Sequence, residues 1–120
     1  MTDIFVFGSN LAGRHGAGAA LFALRERGAM YGLGVGLHGH SYAIPTKDMN
    51  VRTLPLDKIA DYVAMFLDFA RLHPKLIFEV TPIGCGLAGY KRSEIEPLFE
   101  DMPSNCYFSK SWDEHPKEPA

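Results

Sequence analysis

A glycine-rich segment between an apolar run and a helical pattern constrains this chain more than any other feature. Residues 82–90, which we call the second loop, contain three glycines. The apolar, β-branched run 76–81 before the loop predicts a strand, and the pattern over 93–100 predicts a helix after it. Glycine permits φ > 0 and the close approach of a ligand, and a strand–loop–helix order points several backbone N–H groups in one direction. The segment is therefore typical of a loop that holds phosphate with main-chain atoms.

Residues 8–18, which we call the first loop, form another segment of this kind. The loop follows the continuous apolar run 4–7, which is typical of a strand buried on both faces, and it leads into a helical pattern over 17–27. In parallel sheets the loops that follow the strands gather at one edge, where ligands bind. We therefore predict that the two loops form two sides of one site for a phosphate-bearing small molecule.

The remaining pattern completes an alternation of strands and helices. Residues 42–45 predict a strand, residues 56–72 predict a helix with one apolar face, and residues 105–109 predict a last strand. The glycine-rich stretch 28–41 predicts a crossing with at most one short strand. The alternation predicts an α/β fold, namely a three-layer α/β/α sandwich with a mixed, mainly parallel sheet.

Length and composition limit the domain count and the class of partner. For 120 residues we predict one domain over residues 1–112, followed by a flexible polar tail over 113–120. The formal charge of −2 and the lack of a dense Lys/Arg run argue against nucleic-acid groove binding. No apolar stretch approaches the ~20 residues that span a bilayer, and residues 1–4 lack a basic signal region. Because two cysteines make no disulfide framework, we expect a cytoplasmic protein with reduced thiols and no membrane partner.

Two standard phosphate motifs fit the chain only in part. Residues 34–39 match the G-x-G-x-x-G string, but the strand pattern 42–45 follows them, whereas the dinucleotide motif opens a helix. Gly84 and Gly89 have the spacing of P-loop glycines, but Tyr90 stands at the lysine position. We therefore expect neither that dinucleotide motif nor a nucleotide triphosphatase.

Asn10 and Lys47 are the candidate catalytic residues, and each has a structural alternative. The amide of Asn10 follows the first strand, where it either binds a ribose hydroxyl or a water, or caps a backbone group in a turn. Lys47 follows the strand at 42–45, which places it on the ligand edge if that strand is parallel to the others. Its amine either neutralises phosphate or attacks a sugar aldehyde carbon; the alternative is a solvated lysine that pairs with Asp48.

Cys85, Tyr90 and three histidines complete the reactive side chains near the loops. Cys85 lies between two glycines and resembles a nucleophile position, while the alternative is a small residue that fits the loop. Tyr90 either stacks on a sugar or a base, or anchors the start of the helix. His15, His38 and His40 together with that cysteine form a metal hypothesis. No closely spaced ligand pair supports it, so we predict no metal and no cofactor.

All the ligand-binding residues that we predict lie in the two loops. They are Gly8, Ser9, Asn10, Gly16, Ala17, Gly18, Gly84, Cys85, Gly86, Leu87, Ala88, Gly89 and Tyr90. Few basic residues lie near the loops, so main-chain N–H groups are expected to hold the ligand's charge. A bulky β-branched residue at Gly86 is expected to cost more affinity than Arg14→Ala, because it blocks the close approach and demands a φ that such a residue rarely adopts.

Both loops resemble the ligand loops of macro domains. The first loop has an asparagine followed by a glycine-rich turn into a helix, and the second loop, Pro82-Ile83-Gly84-Cys85-Gly86-Leu87-Ala88-Gly89-Tyr90, is the closer match. The resemblance covers roughly residues 3–109. It implies an α/β/α fold that binds ADP-ribose, with the diphosphate held by backbone amides. It also implies that Asn10 positions the distal ribose and that Tyr90 packs near that ribose.

Within that family the terminal ADP-ribose protein glycohydrolases are the closer comparison. Lys47 is placed similarly to their catalytic lysine, whereas Ala88 stands where they carry an aspartate. The resemblance implies that the partner is ADP-ribose or an ADP-ribosylated substrate, and it leaves two functions open. One is a hydrolase that removes ADP-ribose from a modified macromolecule. The other is a non-catalytic module that binds ADP-ribose or a related nucleotide diphosphate sugar.

Overall fold

Helices cover both faces of one five-stranded sheet in the computed structural model, which describes residues 2–116. The strands, in chain order, are β1 (Ile4–Asn10), β2 (Gly36–His38), β3 (Ser41–Lys47), β4 (Phe78–Val80) and β5 (Cys106–Phe108). The α-helices are α1 (Gly18–Glu26), α2 (Leu56–Leu72) and α3 (Arg92–Ile95), and two 3-10 helices span Glu96–Phe99 and Lys110–Glu114. No helix among these described residues has the length and apolar character needed to cross a bilayer.

The sheet has the strand order β2-β3-β1-β4-β5. Strand β1 pairs in parallel with both β3 and β4, and β4 pairs in parallel with β5. Strand β2 is antiparallel to β3 and is the one strand within the predicted crossing 28–41. The α/β sandwich with a mixed, mainly parallel sheet that the sequence predicts is therefore confirmed.

The side chains of β1 alternate between two cores on opposite faces of the sheet. Ile4 and Val6 pack in the larger core with α2, where Phe66 is fully buried. Phe5 and Phe7 pack in the smaller core with α1. A strand that is apolar on both faces is typical of the centre of a parallel sheet, so the continuous run at 4–7 determines where β1 lies.

Helix α2 has the bounds that its periodicity predicts. Its buried side chains recur every three or four residues: Ile59, Val63, Phe66, Leu67 and Ala70. Asp57 lies in its first turn and Arg71 in its last turn, and both charges complement the helix dipole. The apolar stripe packs against the larger core and holds α2 on the sheet.

The helix predicted over 93–100 is shorter, consisting of α3 and the 3-10 helix that follows it. Pro97 has no N–H to donate to the Ser93 carbonyl, and its ring crowds that carbonyl, so α-helical bonding ends there. The chain tightens into a 3-10 helix instead. Helix α3 also begins one residue earlier than predicted, because the Glu94 carboxylate accepts a hydrogen bond from the Lys91 N–H at 3.0 Å.

The C-terminal 3-10 helix Lys110–Glu114 extends two residues into the segment predicted as a flexible tail. Its Trp112 is 2% exposed, and the indole N–H donates to the Val80 carbonyl at 2.7 Å. This contact joins the segment to the larger core beside β4. Residues 117–120 of the predicted tail lie outside the described residues.

We expect Trp112→Ala to lower the free energy of unfolding by about 3–5 kcal/mol, because it removes a buried aromatic and leaves a cavity. Trp112→Phe is the matched control, since it keeps most of the apolar contact and loses the bond to Val80; it should cost about 1–2 kcal/mol. Denaturant unfolding followed by circular dichroism measures both. A cost below about 1 kcal/mol for the alanine variant would show that the C-terminal helix does not support the fold.

Candidate functional site

The two loops meet at one edge of the sheet, as the topology predicts. Strands β1 and β4 are parallel neighbours, and the loops follow their carboxyl ends. A Cβ built on Gly8 would lie 3.4 Å from the Gly84 nitrogen, so the loops approach closely at their bases. Farther out they line a cleft with a volume of about 1120 Å³.

Most of the predicted site residues line this cleft. They are Gly8, Ser9, Asn10, Gly16, Ala17, Gly18, Lys47, Gly84, Gly86, Leu87 and Ala88. Cys85, Gly89 and Tyr90 do not line it. Cys85 is buried in the larger core, and Gly89 closes the turn of the second loop through its N–H to the Gly86 carbonyl at 3.0 Å.

Both loops present backbone N–H groups that donate to no acceptor among residues 2–116. In the first loop and the start of α1 they belong to residues 16–20, where a helix has no internal acceptor for its first donors. In the second loop they belong to Gly84, Gly86, Leu87 and Ala88. All nine residues line the cleft, and we call these nine donors the N–H cradle.

Glycine is required in the second loop at Gly84 and Gly89. Their φ angles are +74° and +88°, in the left-handed region that favours glycine. A Cβ at Gly84 would also lie 3.1 Å from the side chain of Ile95. The expected positive φ at Gly86 is wrong, because its φ lies outside that region and a Cβ there meets no atom within 4 Å. Gly84 and Gly89 adopt the positive φ angles of the turn, and Gly86 does not.

The carboxamide of Asn10 is used within the first loop. Its Nδ2 donates to the Arg14 carbonyl and its Oδ1 accepts from the Arg14 N–H, both at 2.9 Å. This pair of bonds closes the turn between β1 and the N–H cradle. Of the two roles left open for Asn10, the structure shows the capping of backbone groups.

Residues 30–34 support the first loop from outside. The Ser9 hydroxyl donates to the Gly34 carbonyl, and the Gly32 N–H donates to the Gly13 carbonyl at 2.9 Å. The Nε2 atom of His15 lies 3.0 Å and 3.1 Å from the carbonyls of Met30 and Leu33. The sequence indicates only a crossing here, because the pattern of glycines does not show which loop they touch.

His15 and His38 are buried side by side, with ring centroids 6.0 Å apart. The Nδ1 atom of His38 accepts the Met30 N–H at 2.9 Å, which requires that nitrogen to be unprotonated. Burial, and then the neighbouring His15, lower the pKa of His38. Within the described ranges no group of three or more His, Cys, Asp or Glu residues is placed to hold a metal ion.

Lys47 ends β3 at the cleft, two strands away from the second loop. Its ammonium group has no hydrogen-bond or ion-pair partner in the part of the chain that the structure describes. The Asp48 carboxylate accepts instead from the N–H groups of Asn50 and Arg52, at 2.8 Å and 3.0 Å. The alternative of a Lys47–Asp48 pair is therefore wrong, and Lys47 lines the cleft with no counter-ion among residues 2–116.

The second loop is fastened to the segment that follows β3. The Tyr90 hydroxyl donates to the Leu54 carbonyl at 2.6 Å, and the Thr53 hydroxyl donates to the Ala88 carbonyl at 3.0 Å. Tyr90 packs against the larger core rather than lining the cleft. Of its two predicted roles, the structure shows the anchor.

Strand residues that the loop motifs did not indicate extend the cleft toward β5. Phe5, Glu79 and Tyr107 lie on neighbouring strands on the face that carries α1, and Phe22 of α1 completes this end. Alternation along each strand puts these side chains on one face, opposite the larger core. The sequence does not bring these residues together, because it does not show that β4 lies between β1 and β5.

Comparisons with known proteins indicate the fold only. No protein-family profile matches the chain, and no curated protein sequence matches it. The structure of a protein of unknown function from Bacteroides thetaiotaomicron is similar, with a TM-score of 0.59 and 18% identity over 91% of this chain and 90% of that one. A second crystal structure of a protein from that bacterium has a TM-score of 0.57 and 19% identity, over 91% of this chain and 92% of that one.

We expect Cys85 to react slowly with a disulfide reagent at about pH 8, because burial raises the pKa of its thiol to about 11 and keeps it protonated. The same reagent should titrate the thiols quickly once the protein is unfolded. Absorbance of the released thiolate measures both rates, and Cys85→Ala identifies the signal. If one thiol of the native protein reacts fast and this reaction disappears in Cys85→Ala, the hypothesis that Cys85 is a nucleophile is supported.

Proposed function

We propose that this protein binds ADP-ribose or a related nucleotide diphosphate sugar, with the diphosphate on the N–H cradle. The observation that carries the proposal is that nine backbone N–H groups with no acceptor among residues 2–116 belong to residues that line one cleft. A diphosphate presents charged oxygens in two adjacent groups, which suits two sets of donors on facing loops. The resemblance of both loops to those of macro domains supports the same ligand class.

The charge of the cleft favours main-chain binding over binding by side chains. Arg14, Lys47 and Lys110 are its basic lining residues within residues 2–116, and the chain as a whole has a formal charge of −2. A hydrogen bond to a charged acceptor is worth about 1.5–3 kcal/mol, whereas an exposed ion pair is worth about 0–1 kcal/mol. The cradle therefore supplies most of the expected affinity for phosphate.

The shape of the cleft supports a ligand that extends on both sides of the diphosphate. Lys47 lies at the end of β3, while Tyr107 lies on β5, three strand spacings or about 14 Å across the sheet, and the strand pairing also offsets the two residues along the strands. Aromatic side chains, including Phe22 and Tyr107, are at the β5 end, which suits a base. Thr46 and Lys47 are at the polar β3 end, which suits a sugar.

A hydrolase is the second candidate, and the ammonium group of Lys47 is the observation that favours it. Hydrolysis needs a group that acts in the transition state in addition to the binding loops. The carboxylates that line the described cleft are Glu79 and Glu114, both on the β4–β5 side. Ala88 has no carboxylate to offer, so no general base lies beside Lys47 in the way the glycohydrolase comparison requires. Binding is therefore the better supported function.

We expect Gly86→Val to weaken ADP-ribose binding by about 10- to 100-fold, because its branched side chain displaces the phosphate from the adjacent N–H donors. The substitution should leave the fold intact, since a Cβ at Gly86 meets no protein atom. Arg14→Ala is the matched variant. It keeps the backbone atoms that Asn10 binds and should weaken binding less than about fivefold.

Isothermal calorimetry on both variants, with thermal unfolding as a check on folding, decides between a backbone site and a side-chain site. If Arg14→Ala abolishes binding and Gly86→Val leaves it intact, the cradle is not the phosphate site. If the wild-type protein binds another nucleoside diphosphate but not ADP-ribose, the ligand class changes and the cradle remains.

For the hydrolase candidate, we expect Lys47→Ala to keep ADP-ribose affinity within about fivefold of wild type, because one partly exposed cation contributes little. Any turnover of ADP-ribosylated protein or nucleic acid should disappear in the same variant. A release assay measured beside calorimetry separates the two effects. Turnover that is unchanged in Lys47→Ala would exclude this lysine from the chemistry.

A further inference from the structure

A short hairpin loop follows β3 at the polar end of the cleft. The Asp48 N–H donates to the Arg52 carbonyl at 2.8 Å, which leaves three residues in the loop. The last of them, Val51, donates its N–H to the Asp48 carbonyl at 3.0 Å and so closes a β-turn. In hairpin loops of this length the last residue adopts the left-handed conformation, and glycine is its usual occupant. Here the turn holds a valine instead.

Val51 has a φ of +60° and is the only non-glycine residue among residues 2–116 with a positive φ. The left-handed region crowds a side chain that is branched at Cβ, so valine strains a loop that glycine would leave relaxed. Packing within the described residues does not offset this strain, because Val51 belongs to neither hydrophobic core and 37% of its surface is exposed. The side chain therefore serves something other than the stability of the fold.

The position of the loop indicates what that is. Val51 lines the cleft, as does Lys47 at the start of the hairpin. Leu87 of the second loop lines the same cleft with 77% of its surface exposed. The Thr53 hydroxyl, which donates to the Ala88 carbonyl at 3.0 Å, joins the hairpin to the second loop. Exposed apolar side chains from both segments thus border the cleft at the end where Lys47 lies.

We infer that Val51 is a specificity-determining residue that contacts the sugar beyond the ligand's diphosphate, an inference that rests on the proposed function. A sugar ring carries hydroxyl groups at its rim and C–H groups on its faces. The hydroxyls suit the ammonium group of Lys47, whereas the C–H groups need an apolar partner. Valine supplies two methyl groups on one stiff χ1 torsion, so little side-chain freedom is lost in the contact. Glycine would relax the loop and lose this contact.

Thermal unfolding of the ligand-free protein tests the strain. We expect Val51→Gly and Val51→Asn each to raise the Tm by about 2–6 °C, because glycine and asparagine adopt a positive φ more easily than valine. The asparagine variant controls for the chain entropy that glycine adds to the unfolded state. Met49→Gly is the matched control, because Met49 is 61% exposed in the same loop without a positive φ, and it should not raise the Tm. If neither Val51 variant raises the Tm, the loop is not strained and the inference is overturned.

Isothermal calorimetry with ADP-ribose and with ADP tests the contact, because ADP has the diphosphate without the second sugar. We expect Val51→Gly to weaken ADP-ribose binding about three- to tenfold, since the sugar no longer covers the exposed part of the valine. The affinity of the same variant for ADP should stay within about twofold of wild type. Met49 does not line the described cleft, so Met49→Gly should change neither affinity.

Two kinds of failure are distinguishable. Equal weakening of both ligands in Val51→Gly, or an unchanged affinity for ADP-ribose, would overturn the contact between Val51 and the sugar and leave the N–H cradle in place. A wild-type protein that binds neither ligand would overturn the proposed function, and the inference with it, before any substitution is made.

Discussion

The parallel pairing of β1 with β4 is the constraint on which the site depends. Both the N–H and the hydroxyl of Thr81 donate to the Val6 carbonyl, at 3.1 Å and 2.6 Å, at the point where β4 ends. These two hydrogen bonds to one carbonyl fix where the second loop begins relative to β1. The close approach of the loops follows, since a Cβ built on Gly8 would lie 3.4 Å from the Gly84 nitrogen. The N–H cradle exists because two glycine loops begin side by side on adjacent strands.

Loops rich in glycine have few side chains of their own to hold them, so other parts of the chain hold these two. The first loop is closed by the carboxamide of Asn10 and supported from outside through His15. The second loop is fastened through Tyr90 and Thr53. These contacts hold the loops while the N–H groups of the cradle keep no acceptor among residues 2–116, which is the pre-organisation that an anion site needs. The polar side chains closest to the glycines therefore serve to hold the loops in place.

Periodicity and glycine position predicted the sheet, the long helix and the shared edge, because those features depend on which face of an element is apolar. Pro97 stands inside the helix predicted over 93–100, and α-helical bonding ends there because proline has no N–H to donate. The role of Asn10 was not decidable, since an amide after a strand serves a ligand and a turn equally well until its neighbours are known. The predicted tail began at residue 113, two residues too early, because the single buried aromatic Trp112 produces no period that would indicate a helix there. Residues 30–34 contact the first loop through backbone atoms, and backbone contacts leave no side-chain pattern to interpret.

Residues 30–34 support the first loop through their backbone atoms. Met30 and Leu33 accept His15 through their carbonyls while their side chains face solvent, and Gly34 accepts Ser9 in the same way. Ordering this segment from outside therefore also orders the start of the N–H cradle.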